Sequence, residues 1–123
     1  MADILIVDDN EITLQTVDRL LTKEGYNVVA ATNGKEAIQL LNLLTFDVVI
    51  SDLTMPFVTG LDLVRHIREH FPETPVIIVS STSDERSKRD CYNLGVEHFL
   101  SKPITPMELV MKVRKLAAPE GEN

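Results

Sequence analysis

The chain has 123 residues, with 12 basic and 19 acidic side chains and a formal net charge of −7 at pH 7. This length suits one compact domain, and a composition of 44% apolar and 25% charged residues is that of a globular protein rather than a disordered or fibrous one. The excess of negative charge argues against direct binding to nucleic acid or anionic lipid, because both require clustered lysine and arginine.

Cysteine content and the first residues predict a cytoplasmic, reduced location. The single cysteine, Cys91, has no partner for an internal disulfide, and Met1 is followed by Ala2 and Asp3 rather than by a basic segment and an apolar run. The apolar runs are also far shorter than the roughly 20 residues of a membrane-spanning helix. We therefore expect no membrane span.

Short apolar runs alternate with segments of helical periodicity along the chain. The runs are rich in β-branched residues, which is typical of strands buried on both faces of a sheet. In chain order they cover residues 4–7, 27–31, 46–51, 75–79 and 98–100.

Each run is followed by a predicted helix, several of which have recognisable ends. Asn10 and Asn33 are placed to cap the first two helices, and Gly25 is placed to end the first. Pro106 opens the last helix. The fourth helix, over about 83–94, contains few apolar residues, so we expect it to be weakly anchored and to be the element that moves or is remodelled when the domain switches.

Five strand–helix units predict an α/β fold with a doubly wound parallel sheet, because a strand that reaches the next through a helix returns in the same direction. Ligands of such sheets bind outside the carboxyl ends of the strands, an edge that we call the carboxyl edge. The polar residues that follow the predicted strands are Asp8, Asp9, Asp52, Ser80 and Lys102.

These residue types are suited to phosphoryl chemistry. Acids gathered at one edge repel one another, since two unit charges about 4 Å apart cost about 4 kcal/mol at an effective dielectric near 20. Mg²⁺ relieves this repulsion and keeps positions for phosphate oxygens. A carboxylate beside a metal and the Lys102 ammonium can attack phosphorus, which predicts Asp52 as the acceptor. The Ser80 hydroxyl can donate a hydrogen bond to a phosphoryl oxygen.

Four motifs resemble those of the receiver domains of two-component response regulators. They are Val7-Asp8-Asp9-Asn10, Ser51-Asp52-Leu53-Thr54-Met55-Pro56 with Gly60, Ser80-Ser81-Thr82, and Phe99-Leu100-Ser101-Lys102-Pro103. Each motif alone is weak, but all four occur in order, each at the end of a predicted strand. The resemblance spans residues 3–118 and leaves 119–123 as a polar tail or linker start. It implies a five-stranded flavodoxin-like fold with strand order 2-1-3-4-5.

The resemblance implies a Mg²⁺ site at the carboxyl edge. By it, Asp52 is the phosphoacceptor and Asp9 binds the metal directly. Asp8 acts largely through water, and the carbonyl of Thr54 is a third protein ligand. Lys102 precedes Pro103 through a peptide bond that the resemblance implies to be cis.

The resemblance also implies a switch. Ser80 and Phe99 correspond to the switch pair, and Gly60 to a structural glycine. Phosphorylation would draw the Ser80 hydroxyl inward, free space for the Phe99 ring and change the surface of helix four, strand five and helix five. We further predict that Thr54 and Thr82, which flank the water approach, tune the phosphoryl lifetime.

The resemblance implies a signalling protein rather than an enzyme acting on a separate metabolite. The phosphoryl group would come from a phosphohistidine on a sensor kinase or a phosphotransfer protein, or from small donors such as acetyl phosphate. The changed surface would then regulate a protein partner or an output domain.

Three other functions are alternatives to phosphoryl acceptance. The chain can be an interaction scaffold that works without phosphorylation, but Asp9, Asp52, Ser80 and Lys102 argue against it. A phosphohydrolase would need a second acid where Thr54 stands, and a flavin-binding domain would need a phosphate loop after the first strand.

Other chemically suggestive residues have simpler interpretations. His66 and His70 lie four apart and can hold a metal ion, but exposed helix positions are the simpler interpretation. His98 has no partner motif, and Cys91 is expected to pack as a small hydrophobe. Ser81 stands where the family usually has a smaller residue, which predicts narrower access to the acceptor.

Overall fold

The computed structural model describes residues 2–82 and 84–117. Its five parallel strands lie in the order β2-β1-β3-β4-β5, which confirms the predicted fold and strand order. The strands are β1 (Asp3–Val7), β2 (Asn27–Ala31), β3 (Val48–Asp52), β4 (Val76–Ser80) and β5 (His98–Ser101). The helices are α1 (Glu11–Lys23), α2 (Gly34–Leu43), α3 (Gly60–His70), α4 (Glu85–Asn93) and α5 (Pro106–Ala117).

The predicted end of the domain at residue 118 and the predicted tail over 119–123 lie outside the described residues, as does Ser83 at the predicted start of the fourth helix. Among the helices that the structure describes, none combines the length and the apolar character that crossing a bilayer requires.

The core consists of two apolar layers, one on each face of the sheet. Successive strand residues point to opposite faces. Leu5 and Val7 of β1 therefore pack with the layer under α2, α3 and α4, whereas Ile4 and Ile6 pack with the layer under α1 and α5. Burial on both faces explains why the central strands read as continuous apolar runs.

The predicted helix caps are confirmed. The Asn10 side chain accepts hydrogen bonds from the N–H groups of Ile12 and Thr13, and the Asn33 side chain accepts one from Glu36. Gly25 has a φ of 95°, in the left-handed region that glycine adopts without strain. The strand ends differ slightly from prediction, because β3 begins at Val48 rather than at residue 46, and the fifth strand continues to Ser101.

α4 is fixed to the rest of the domain by few apolar contacts. Cys91 is its one buried residue, as expected for a small hydrophobe, whereas α1 buries Leu14, Val17 and Leu21. We expect the backbone amides of α4 to exchange with deuterium about tenfold or more faster than those of α1, because local opening exposes little apolar surface. Hydrogen-exchange mass spectrometry measures this difference, and equal protection of the two helices would contradict it.

Gly60 lets α3 begin directly against the end of β3. A Cβ atom built at this position would overlap the carbonyl oxygen of Asp52 and lie 2.6 Å from the Cα of Leu53. Both neighbours are backbone atoms and cannot turn away, as a side chain could.

We therefore expect Gly60→Ala to lower the free energy of unfolding by about 3 kcal/mol, at the upper end of overpacking effects. Gly25→Ala is the matched control. It meets open space and has only an unfavourable φ to accommodate, so its expected cost is about 1 kcal/mol. Urea unfolding measures both values, and an equal cost for the two variants would disprove the steric argument.

Candidate functional site

Three carboxylates gather at the carboxyl edge, and we call them the acidic cluster: Asp8, Asp9 and Asp52. β1 and β3 are neighbours with Val7 paired to Ser51, so the residues that follow these two positions meet at the edge. One oxygen of each acid lies within 4.8 Å of the others. Asp8 and Asp52 are buried, and Asp9 is exposed. Hard carboxylate oxygens at this spacing fit Mg²⁺, whose remaining positions water can fill.

Lys102 extends from the end of β5 to the acidic cluster. Its Nζ atom donates to Asp8 Oδ2 at 2.9 Å and lies 3.7 Å from Asp52 Oδ2. The ammonium lies beside Asp52 as expected, and it is closer still to Asp8. The Lys102 backbone N–H donates to the carbonyl of Ser80 at 2.8 Å. The peptide bond between Lys102 and Pro103 is cis, as the resemblance implied.

Asp52 is held in an environment that disfavours its charge. Burial raises the pKa of this carboxyl above 3.8, and the charges of Asp8 and, to a lesser degree, Asp9 raise it further. The Lys102 ammonium and the Thr54 N–H, which donates to Asp52 Oδ1 at 3.4 Å, lower the pKa in part. Burial and the neighbouring acids together outweigh the Lys102 ammonium here, and this is an environment that a bound cation relieves.

Ser80 and Phe99 lie on the same face of neighbouring strands. Ile78 is paired with Phe99, and Ser80 is two residues further along β4, so both side chains face the layer under α3 and α4. Ser80 is buried, and its Oγ accepts a hydrogen bond from the Thr82 N–H at 3.1 Å. The Phe99 ring is buried as well, and the Lys88 ammonium of α4 lies 5.7 Å from its centroid.

An open cleft separates the β3–α3 loop from α4. It has a volume of about 260 Å³, and both Thr54 and Thr82 line it. The α4 side of the cleft is polar, with Ser87 and Asp90. Ser81 is exposed beside it. Both threonines thus line one solvent-open cleft, and their effect on phosphoryl lifetime stays a prediction.

The structure places the histidines away from the acidic cluster, on other elements. The His66 and His70 rings on α3 are in contact, with centroids 4.4 Å apart and ring planes tilted by 39°. His70 is exposed as expected, but His66 is half-buried, which corrects the prediction of two exposed positions. His98 is half-buried at the start of β5.

Two features of this region were not predicted from the sequence. The approach of Lys88 to the Phe99 ring depends on how α4 packs, for which the sequence gives no signal. Phe57, in the β3–α3 loop, is fully exposed and has a φ of 68°. A phenylalanine next to Pro56 in a segment that otherwise reads as a turn was the available signal for it.

Comparison with known proteins agrees with this geometry. The chain matches the response regulator receiver domain family over residues 4–114. It is 33% identical to the probable transcriptional regulator ycf29 of Porphyra purpurea, covering 98% of this chain and 59% of that protein. It is also 33% identical to the response regulator SaeR of Staphylococcus aureus, covering 94% of this chain and 50% of that protein. The chain thus spans between half and three fifths of the length of these relatives.

Solved structures of receiver domains superimpose closely. The chemotaxis protein CheY4 of Vibrio cholerae matches with a TM-score of 0.89 and 31% identity, over 94% of this chain and 98% of that one. The receiver domain of the Francisella response regulator 1452 matches with a TM-score of 0.89 and 30% identity, over 95% of this chain and 97% of that one. With its strand order, its acidic cluster and a family match over almost its whole length, the chain belongs to the response regulator receiver domain family.

Proposed function

We propose that the chain accepts a phosphoryl group on Asp52 from a phosphohistidine donor, and that Mg²⁺ assists the transfer. Receiver domains are signalling domains of phosphorylation-activated systems, not metabolic enzymes, and bind Mg²⁺ at an acidic pocket. The observation that carries the proposal for this chain is that the buried Asp52 lies beside the other two acids and 3.7 Å from the Lys102 ammonium.

Asp8, Asp9, Asp52 and the backbone carbonyl of Thr54 are the groups that would hold the metal. The bound ion would supply positive charge to neutralise the acids and the oxygens of the transferring phosphoryl group. The fit rests on the clustered carboxylate oxygens and on the raised pKa of Asp52, whose causes are burial and neighbouring acids.

The residues of the chain account for the transfer itself. An ionised Asp52 oxygen attacks phosphorus in line with the leaving nitrogen of the donor imidazole; the O–P bond forms as the P–N bond breaks, and the imidazole nitrogen regains a proton. Lys102 stabilises the charge on the phosphoryl oxygens from the β5 side. The Ser80 hydroxyl, after a turn about χ1, donates to one of those oxygens.

The output of this reaction would be a changed protein surface. Receiver domains in general interact with sensor kinases and output domains. Movement of the Ser80 hydroxyl would open space for the Phe99 ring, whose turn would break its contact with Lys88 and alter the surface of α4, β5 and α5. A partner that binds the altered surface more tightly would increase the population of that state. The size of the shift is set by the difference between the partner's affinities for the two states.

The remaining expectations complete the proposal. The domain would extend over residues 3–118 and function in the cytoplasm, with sensor kinases or phosphotransfer proteins as donors and a protein partner or output domain as recipient. Pro103 and Gly60 would serve as structural residues, while Thr54 and Thr82 would set the rate at which water removes the phosphoryl group.

Incubation with acetyl phosphate and Mg²⁺, followed by intact mass measurement, tests the proposal. We expect a gain of about 80 Da, the mass of one phosphoryl group, and no gain when Mg²⁺ is removed with EDTA. A mass that is unchanged both with acetyl phosphate and with a phosphohistidine donor would overturn the proposal and support the scaffold alternative.

A further inference from the structure

We propose that Phe57 is an apolar anchor for the protein that donates the phosphoryl group, and that it contributes to donor selection. This inference rests on the proposed function, because it concerns the partner of the same reaction. It starts from the shape of the β3–α3 loop rather than from the chemistry of the acids.

The β3–α3 loop is closed at its base and held on both sides of Phe57. The Gly60 N–H donates to the Leu53 carbonyl at 2.8 Å, so the loop begins and ends beside the acceptor Asp52. Met55 is buried in the core before the tip. After the tip, Val58 packs so closely on Gly34 that no Cβ atom fits there. The loop is therefore fixed, and Phe57 is at its tip.

Phe57 is exposed in a way that the fold does not require. Its side chain is 100% exposed, and its φ of 68° lies in a region that residues with a Cβ seldom adopt. Gly, Asn or Asp would fit this backbone better, and a polar residue would be better solvated. An aromatic ring presented by a fixed loop is a typical anchor in protein interfaces.

Two further exposed apolar side chains lie at the carboxyl edge. Ile12 in the first turn of α1 and Met107 in the first turn of α5 are largely exposed, and both helices begin at this edge. Leu43, also exposed, lies at the other end of α2, away from the acids. The carboxyl edge thus carries both the acidic cluster and exposed apolar side chains.

The recessed position of the acceptor identifies the occupant of this surface. Asp52 is only 8% exposed, so a phosphohistidine reaches it only when the surface that carries the histidine is pressed against the carboxyl edge. The exposed side chains at that edge, Phe57 among them, are then covered. A small donor such as acetyl phosphate enters without covering them. The donor protein should therefore depend on Phe57, and acetyl phosphate should not.

The test compares two donors on the same variants. The protein donor is the purified phosphorylated sensor kinase or phosphotransfer protein that labels the wild-type chain fastest, chosen from those encoded in the same genome, and the small donor is acetyl phosphate. We expect Phe57→Ala to lower the ratio of the protein-donor rate to the acetyl phosphate rate roughly tenfold or more. Phe57→Leu, which keeps apolar volume, should recover part of the ratio.

Two variants separate the ring from other effects. Phe57→Gly removes the ring and fits the backbone conformation, so it should lose the same ratio as Phe57→Ala if the ring is the anchor. Leu43→Ala, the matched exposed apolar residue at the other end of the sheet, should leave the ratio unchanged.

Each other outcome overturns the inference. An unchanged ratio, or an equal fall in both rates, shows that Phe57 does not select the donor. If the ratio of the two labelling rates stays constant and sedimentation shows that Phe57→Ala loses self-association, the ring belongs to a contact between copies of the chain. A wild-type chain that no protein donor labels faster than acetyl phosphate has no donor surface of this kind. Absence of labelling by either donor instead refutes the proposed function.

Discussion

Replacement of Asp52 by asparagine is expected to abolish phosphoryl labelling and, at the same time, to stabilise the fold. The carboxylate is buried beside two other acids, and burial together with the Asp8 charge raises its pKa above 3.8. A pKa that is higher in the folded state means that the ionised group destabilises folding. An amide of the same shape removes that charge and keeps an acceptor for the Thr54 N–H.

We expect the Asp52→Asn variant to gain free energy of unfolding at pH 7 in EDTA, by about 1 kcal/mol, the size of change that single substitutions typically cause. For a chain of this size the midpoint of thermal unfolding should rise by roughly 4 °C. Glu69→Gln, which removes the same charge from an exposed position on α3, should change the midpoint of thermal unfolding little. A less stable Asp52→Asn variant would contradict the account.

The stability difference between the wild type and Asp52→Asn should also depend on pH. Because the pKa of Asp52 is raised on folding, its ionised form destabilises the protein fully above the folded pKa. The penalty disappears as the pH falls through the folded pKa to the unfolded value of 3.8. The free energies of unfolding of the two proteins should therefore converge as the pH is lowered. A difference that stays constant with pH would show that the charge of Asp52 is not its cause.

Replacement of Lys102 by alanine has the second large expected effect, and here activity and stability fall together. The ammonium is the one basic group within 4 Å of Asp8 or Asp52 among the residues that the structure describes. Without it, the transferring phosphoryl group loses a fixed positive charge, and removal of one such group typically costs 10²- to 10³-fold in rate. We expect the rate of labelling by acetyl phosphate to fall by about that factor.

Stability should fall because the buried Asp8 loses its cation. Removing one partner of a buried ion pair typically lowers the free energy of unfolding by about 3 to 5 kcal/mol. Because the Lys102 side chain is 23% exposed, we expect a smaller loss of roughly 2 kcal/mol in EDTA. The backbone N–H of Asn10 still donates to Asp8 Oδ1 and limits the loss. Lys35→Ala, at an exposed position of α2, is the control for both measurements, and a Lys102→Ala variant that matches it would contradict the assignment.

Much of the fold could be predicted because the sequence is locally consistent. The apolar runs matched the strands to within a few residues, and the asparagine caps and Gly25 marked real helix ends. Parallel topology then required the residues after β1 and β3 to meet at one edge. For that reason the closeness of Asp8, Asp9 and Asp52 followed from the sequence once the alternation of strands and helices was recognised.

What could not be predicted depends on packing between distant elements. The preference of Lys102 for Asp8 over Asp52 is a difference of 0.8 Å between two contacts, 2.9 and 3.7 Å, that strand geometry decides. The contact of Lys88 with Phe99 depends on the position of a helix with one buried residue. The exposure of Phe57 depends on how its loop packs. Met55, two residues earlier, is buried in the core, and Val58, the next residue, packs on Gly34 at the start of α2.

The central claim, that Asp52 is the group that takes the phosphoryl, is tested most directly by locating the modified residue. An acyl phosphate is reduced by borohydride to an alcohol, so a labelled aspartate becomes homoserine, which peptide mass spectrometry can place in the sequence. After labelling with acetyl phosphate and Mg²⁺, we predict homoserine at position 52 and at no other aspartate. Homoserine at Asp8 or Asp9 instead, or a phosphoryl group on a hydroxyl or imidazole side chain, would contradict the account.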